Sequence, residues 1–131
     1  MKKKKLLDSF ALLAYLKKED NYEKVKGLLS SEDLFLIIND INLGEVFYIL
    51  ARERGIEKAD YFINTIFPSL PIEGITNTFA DILDAAKIKA EYSLSYADCF
   101  AVATAIKEDA PIVTGDPEFK KVAEIVKIDW L

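Results

Sequence analysis

Four acidic residues stand where carboxylates could do chemistry, because each lies where a predicted strand ends or a predicted helix begins. They are Asp8 in KKKLLDSFALLAYL, Glu45 in INLGEVFYIL, Asp98 in YADCFAVATAI and Asp116 in IVTGDPEF. The chain has no histidine, so the commonest general base and all histidine metal sites are absent. Its chemistry must therefore use carboxylates, lysines, hydroxyls or a metal ion held by oxygen, and oxygen ligands select Mg²⁺ or Mn²⁺.

Asp8 and Asp116 each have two explanations. A carboxylate that ends a strand and precedes a helix is a common N-cap, because its oxygen accepts a backbone N–H. Asp116 fits this role well, since Pro117 follows it at the first helical position. The other explanation is that both carboxylates belong to a site, and the two segments alone do not decide between them.

Glu45 and Asp98 are harder to explain as parts of a cap. Asn42 precedes Glu45, and Ser95 precedes Asp98, at the three-residue spacing of a capping box. However, Glu45 falls within an apolar stripe, and Asp98 is the only charged residue between Tyr96 and Ile106. A carboxylate buried in either place is costly unless it is paired or bound to a metal ion. Capping and membership of a site are evenly matched for Asp98.

Short apolar strands alternate with helices along the 131 residues. Strands are predicted at residues 3–7, 34–38, 70–75, 112–114 and 126–128. Helices are predicted at residues 9–18, 22–29, 41–54, 57–67, 76–92 and 95–107, with a last one after Pro117. This alternation predicts an α/β fold, with a mostly parallel sheet of about five strands covered on both faces. The length predicts a single domain over residues 1–131.

The helix predicted at residues 76–92 has a clear apolar face. Phe79, Ile82, Leu83 and Ala86 follow the spacing of one helical stripe, which predicts that they face the core. Five other aspartates are expected to lie outside the site: Asp40, Asp81, Asp84, Asp109 and Asp129.

The carboxyl ends of parallel strands meet at one edge of a sheet, so the four acids are expected to cluster. Clustered carboxylates repel one another at neutral pH unless some are protonated or cations lie between them. Two divalent ions would change the formal net charge from −5 to −1. An anionic substrate such as a phosphodiester then becomes admissible, and a metal ion can activate water to attack it.

These segments resemble the PIN-domain family, in particular its VapC-type ribonuclease toxins. The resemblance spans nearly the whole chain, through LLDSFALLAYL, INLGEVFYIL and LSYADCFAVATAIKEDAPIVTGDPEF. It implies a three-layer α/β/α sandwich and an endoribonuclease that uses Mg²⁺ or Mn²⁺ and leaves a 5′-phosphate. The implied metal ligands and catalytic residues are Asp8, Glu45, Asp98 and Asp116.

Three further positions take their interpretation from the resemblance. Thr114 matches the family's hydroxyl two residues before the last acid, which implies that it orients that carboxylate or a bound water. Ser9 matches the small hydroxyl residue that often follows the first acid. Phe10 stands where the family frequently has Ser or Asn, so a polar contact with substrate or water is expected to be missing.

The resemblance also implies partners, namely an RNA substrate and an antitoxin protein. Aromatic residues on the middle helices fit either the core or a homodimer contact: Tyr48, Tyr61, Phe62 and Phe67. No apolar stretch approaches the roughly 20 residues that span a bilayer, and the single cysteine, Cys99, excludes an internal disulfide. A cytoplasmic protein without a membrane segment is therefore expected.

Two other functions are compatible with an acidic edge on a parallel sheet. One is a catalytically silent PIN-fold module that serves RNA processing or assembly. The other is a receiver-like signalling domain, which needs paired acids after the first strand and an aspartate after the third. Asp8 has no acidic neighbour, and the third strand region offers only Glu73, which disfavours this second alternative.

Overall fold

The central sheet consists of five parallel strands in the order β3-β2-β1-β4-β5, as seen in a computed structural model that describes residues 2–131. The strands are β1 (Lys3–Leu7), β2 (Leu34–Asn39), β3 (Ile72–Ile75), β4 (Ile112–Thr114) and β5 (Ile128–Trp130). The helices are α1 (Ser9–Leu16), α2 (Tyr22–Leu29), α3 (Asp40–Arg54), α4 (Ile56–Tyr61), α5 (Phe67–Ser69), α6 (Phe79–Glu91) and α7 (Tyr96–Glu108).

Helices cover both faces of the sheet. Successive strand residues point to opposite sides, so neighbouring residues of one strand enter different cores. In β1, Leu6 belongs to the core beneath α6 and α7, whereas Leu7 belongs to the core beneath α1, α3 and α4. Ile112 and Val113 of β4 divide between the same two cores. The predicted three-layer α/β/α sandwich with a parallel five-stranded sheet is therefore confirmed.

The order of the strands creates a switch point between β1 and β4. From β1 the chain moves outward through β2 to β3, then returns to place β4 on the other side of β1. Leu7 pairs with Val113 in this register, so the segments that follow both strands leave the sheet side by side. Crevices at such points are where open α/β sheets bind ligands.

Several predicted boundaries in the last third of the chain and in its middle were wrong. The last strand is Ile128–Trp130 rather than residues 126–128, because Val126 packs into the core before the strand begins. The segment after Asp116 is a 3₁₀ helix, Pro117–Val122. The helix predicted at residues 57–67 is instead α4 followed by a π-helical turn, Phe62–Ile66.

The apolar face predicted for α6 was wrong for Phe79 and Leu83 and correct for Ile82. Phe79 is 72% exposed and Leu83 is 45% exposed, whereas Ala85 is buried and Ile82 and Ile88 pack against the core. Apolar residues occupy more than one side of this helix, so the pattern allowed two orientations. Packing against α7 selected one of them. Among residues 2–131, no helix is long and apolar enough to cross a membrane.

Candidate active site

Asp8 is both a helix cap and part of a deeper contact between distant segments. One of its carboxylate oxygens accepts a hydrogen bond from Ala11 N at 2.9 Å, which caps α1. The other accepts a hydrogen bond from the Thr114 hydroxyl at 2.5 Å. The Asp8 residue is only 1% exposed. The two explanations for this aspartate are therefore not exclusive, since one carboxylate side chain makes both contacts.

Thr114 joins the segments that follow β1 and β4. Its hydroxyl donates to Asp8 and accepts a hydrogen bond from Asp116 N at 3.0 Å. The Asp116 carboxylate caps the 3₁₀ helix by accepting from Glu118 N at 2.9 Å. Thr114 therefore orients the Asp8 carboxylate and the backbone of Asp116.

Glu45 does not belong to the capping box that its spacing with Asn42 suggested. The helix α3 begins at Asp40, and the Asn39 side chain caps it by accepting from Ile41 N at 2.8 Å. Asn42 is consequently inside the helix and fully buried, where its amide donates to Ala97 O at 3.0 Å. This contact ties α3 to the start of α7. Glu45 lies one turn further along, and its buried Oε1 has no hydrogen-bond partner among the described residues.

Asp98 lies in the first turn of α7. Ser95 caps this helix, because its hydroxyl oxygen accepts a hydrogen bond from Asp98 N at 3.1 Å. That bond uses the backbone of Asp98 and leaves its carboxylate available for another role. Of the capping box predicted for Ser95 and Asp98, the contact between the Ser95 side chain and the Asp98 backbone is therefore present.

The four acids border one cavity of about 570 Å³. Ser9 lines it beside them, and so do two lysines, Lys89 and Lys121. The remaining lining residues are Ser93, Leu94, Ser95 and Glu118. The elements that position the acids are the ends of β1 and β4, the second turn of α3 and the first turn of α7. The predicted set Asp8, Glu45, Asp98, Asp116 and Ser9 is therefore brought together at one place.

The electrostatics of the cavity show that the carboxylates influence one another. Burial raises the pKa of Asp8 from its ordinary value of 3.8 to about 7, against the lowering effect of the hydrogen bonds from Thr114 and Ala11. Burial, together with the nearby charges of Glu45 and Asp116, raises the pKa of Asp98 to about 6. Both acids hold protons more tightly than free carboxylates do.

The donor atoms of the cavity suit a hard divalent cation. All four side chains offer carboxylate oxygens, and the unpartnered Glu45 Oε1 needs a cation or donor to offset its burial. Within residues 2–131, no three acidic or thiol side chains converge tightly enough to hold an ion in this conformation. The residues thus have the chemistry of a metal site, while their side chains are spread around the cavity.

Sequence reasoning missed the structural role of four residues. Asn39 was not considered and Asn42 was considered only as a cap, because asparagine at a helix start is usually a surface cap, whereas both are fully buried here. Lys89 and Lys121 gave no signal, because single lysines on helices are ordinary. Their ammonium groups donate to Leu94 O at 2.5 Å and to Ser93 O at 2.8 Å. The five aspartates expected outside the site do not line the cavity within the part of the chain described.

The chain was compared with families and structures of known proteins. The model of the PIN domain matches residues 5–125. No curated protein sequence gave a match.

Solved structures of similar fold include three of bacterial VapC or VapBC proteins. A VapC20 structure from Mycobacterium tuberculosis, described as a toxin that cleaves the sarcin-ricin loop, superposes with a TM-score of 0.76 at 20% identity, covering 94% of this chain and 97% of its own. VapBC2 of Rickettsia felis, bound to a promoter DNA fragment, has a TM-score of 0.74 at 21% identity. The match covers 97% of this chain and 98% of that structure's chain. DNA-bound VapBC of Salmonella typhimurium has a TM-score of 0.73 at 18% identity. The match covers 99% of this chain and 98% of that structure's chain.

Proposed function

Because the chain belongs to the PIN-domain family, we propose that it is a metal-dependent endoribonuclease that hydrolyses RNA phosphodiester bonds, and the toxin of a toxin–antitoxin pair. The observation that carries this proposal is the single cavity bordered by Asp8, Glu45, Asp98 and Asp116 at the sheet's switch point. The cavity contains carboxylates of raised pKa and an unpartnered buried oxygen, as expected of a cation site.

The four acids would hold one or more Mg²⁺ or Mn²⁺ ions. Such an ion, when bound, lowers the pKa of a coordinated water and neutralises charge on the phosphate. The protein's own contribution is positioning. The Thr114 hydroxyl holds the Asp8 carboxylate in one orientation, and the contact between Asn42 and Ala97 keeps the helices that carry Glu45 and Asp98 together. Contacts of this outer kind maintain the geometry of metal ligands.

Lys89 and Lys121 give the cavity a positive side, which favours an anionic substrate. We expect Lys89→Met to weaken RNA binding and to reduce the slope of log affinity against log salt by about 0.7, the value for one single-strand phosphate contact. Lys87→Met is the matched control, because Lys87 lies on the same helix but does not line the cavity. Affinity measured by fluorescence anisotropy at several salt concentrations tests this. Equal slopes for the two variants would contradict a phosphate contact at Lys89.

Metal binding is the first test of the proposed function. Calorimetric titration of the purified protein with Mn²⁺ is expected to show saturable binding, and the same protein is expected to cleave RNA with Mg²⁺ or Mn²⁺ but not with EDTA. Mapping the cleaved ends is expected to identify 5′-phosphates. Absence of binding at millimolar Mn²⁺ and Mg²⁺ would overturn the proposal in favour of a silent PIN-fold module that serves RNA processing or assembly.

A protein partner is supported by exposed aromatic residues that do not line the acidic cavity. Tyr48 is 47% exposed and Tyr61 is 59% exposed, whereas Phe62 is buried in the core. Tyr61 also borders a second cavity of about 390 Å³ between the helices. We assign Tyr48 and Tyr61 to protein contacts, with an antitoxin or with a second copy in a homodimer. The receiver-like alternative is set aside, because Glu73 of the edge strand β3 does not line the acidic cavity.

A further inference from the structure

Phe10 is an aromatic residue left partly in water beside a polar site. It follows Asp8 and Ser9 at the start of α1 and is 39% exposed. The residues that line the adjoining cavity are mostly charged or hydroxyl-bearing. Phe10 belongs to neither of the two hydrophobic cores, so core packing does not explain the exposed part of its ring.

The ring of Phe10 lies against the backbone of Gly115. A Cβ atom added at Gly115 would lie only 2.8 Å from Cζ of the ring and would overlap it. Gly115 stands between Thr114, which bonds to Asp8, and Asp116. The absence of a side chain at Gly115 thus lets the ring rest on the turn that carries the last acid of the site. This contact restrains the ring at the edge of the acidic cluster.

We propose that Phe10 is a stacking platform for an unpaired base of the RNA, next to the phosphodiester held by the acidic cluster. This inference rests on the proposed ribonuclease function and adds to it a residue of this chain that contacts a base of the RNA. The base of a paired nucleotide is stacked within its helix, so only an unpaired base can lie on a protein ring.

Two properties of the position favour a nucleobase over other ligands. A nucleotide combines a charged phosphate with a flat aromatic base. This matches a lysine-lined acidic cavity beside a phenyl ring, because Ser9 and Asp116 of the cavity lining are chain neighbours of Phe10 and of Gly115 beneath its ring. The ring offers no hydrogen-bonding group, so the contact reads no base identity. The platform therefore selects for an unpaired nucleotide and leaves sequence preference to other residues.

The test compares the affinity of two RNAs in the presence of Mn²⁺. One is a fluorescent oligouridylate of about eight nucleotides, and the other is an abasic ribose-phosphate chain of equal length and charge. Wild-type protein is expected to bind the oligouridylate roughly 5- to 150-fold more tightly, the range for one stacked base. Phe10→Leu is expected to reduce this ratio towards one, and Phe10→Trp to retain it. Gly115→Ala is a second variant, whose Cβ displaces the ring.

The outcomes separate this inference from the proposed function. A base-dependent ratio that Phe10→Leu loses and Phe10→Trp keeps supports the platform. If Phe10→Leu weakens binding of both chains equally, or changes neither, the platform is overturned, and the ring is left for a protein partner to cover. Cleavage of cellular RNA with Mn²⁺, measured on the same preparations, reports on the nuclease separately. A protein that cleaves RNA but shows no base-dependent ratio refutes only the role of Phe10.

Discussion

The Asp98→Asn variant is expected to lose RNA cleavage by about 10³-fold, since a metal ion at a phosphodiester stabilises the transition state by several kcal/mol. An amide lacks the negative charge that a divalent cation requires. Asparagine has nearly the same size as aspartate, and the Ser95 cap uses the backbone N–H of this residue, so the start of α7 is retained. The measurement is cleavage of total RNA at saturating Mg²⁺ or Mn²⁺, with Mn²⁺ affinity determined alongside.

Asp84→Asn is the control for the loss of one negative charge. Asp84 lies on α6 and does not line the acidic cavity, so this variant removes one charge without touching the site and is expected to cleave like wild type. Loss of activity through unfolding is not expected in Asp98→Asn. Removing one of several facing carboxylates relieves repulsion, and the apo variant is expected to be at least as stable as wild type. Near-normal cleavage by Asp98→Asn would show that the acidic cavity is not the active site.

The stability of the metal-free protein is expected to fall as pH rises from about 4 to about 7. Burial raises the pKa of Asp8 in the folded protein to about 7, whereas its ordinary value, reached on unfolding, is 3.8. Between these values the folded protein holds a proton that the unfolded chain releases, so raising the pH favours unfolding. The difference corresponds to about 4 kcal/mol, at about 1.4 kcal/mol for each pH unit.

Asp8→Asn isolates this effect, because the asparagine does not titrate. Urea denaturation of both proteins in EDTA, at several pH values from about 4 to about 8, measures the difference in unfolding free energy. Relative to the variant, the unfolding free energy of wild type is expected to fall by most of about 4 kcal/mol between about pH 4 and about pH 7. Mn²⁺ at about 100 times its dissociation constant is then expected to return about 2.7 kcal/mol to wild type only. Parallel curves for the two proteins would contradict a buried, titrating Asp8.

There is a physical reason why an acid such as Asp8 can be explained both as a helix cap and as a site residue. In a parallel sheet, the residue that ends a strand is also the residue that begins the next helix, so a cap and a site residue occupy the same place. Asp8 shows both roles at once through Ala11 and Thr114. Local sequence therefore could not separate capping from chemistry for this residue, because it performs the local role whether or not it serves a site.

The alternation of strands and helices, the five-stranded sheet and the four acids that border one cavity could all be predicted from the amino-acid sequence. These features depend on apolar periodicity and turn residues, which act between near neighbours along the chain. The absence of histidine also determined that any metal ligands here are oxygen atoms. Nothing in these inferences required knowledge of which distant residues touch.

Tertiary packing sets how the elements orient and what each acid contacts. It turned α6 so that Phe79 faces water, buried Asn42 against α7, and placed the ring of Phe10 on Gly115. The Thr114 hydroxyl reaches a carboxylate 106 residues away in the chain. Such contacts arise from how whole elements pack, and a local pattern is compatible with more than one packing. Chain order alone therefore does not determine them.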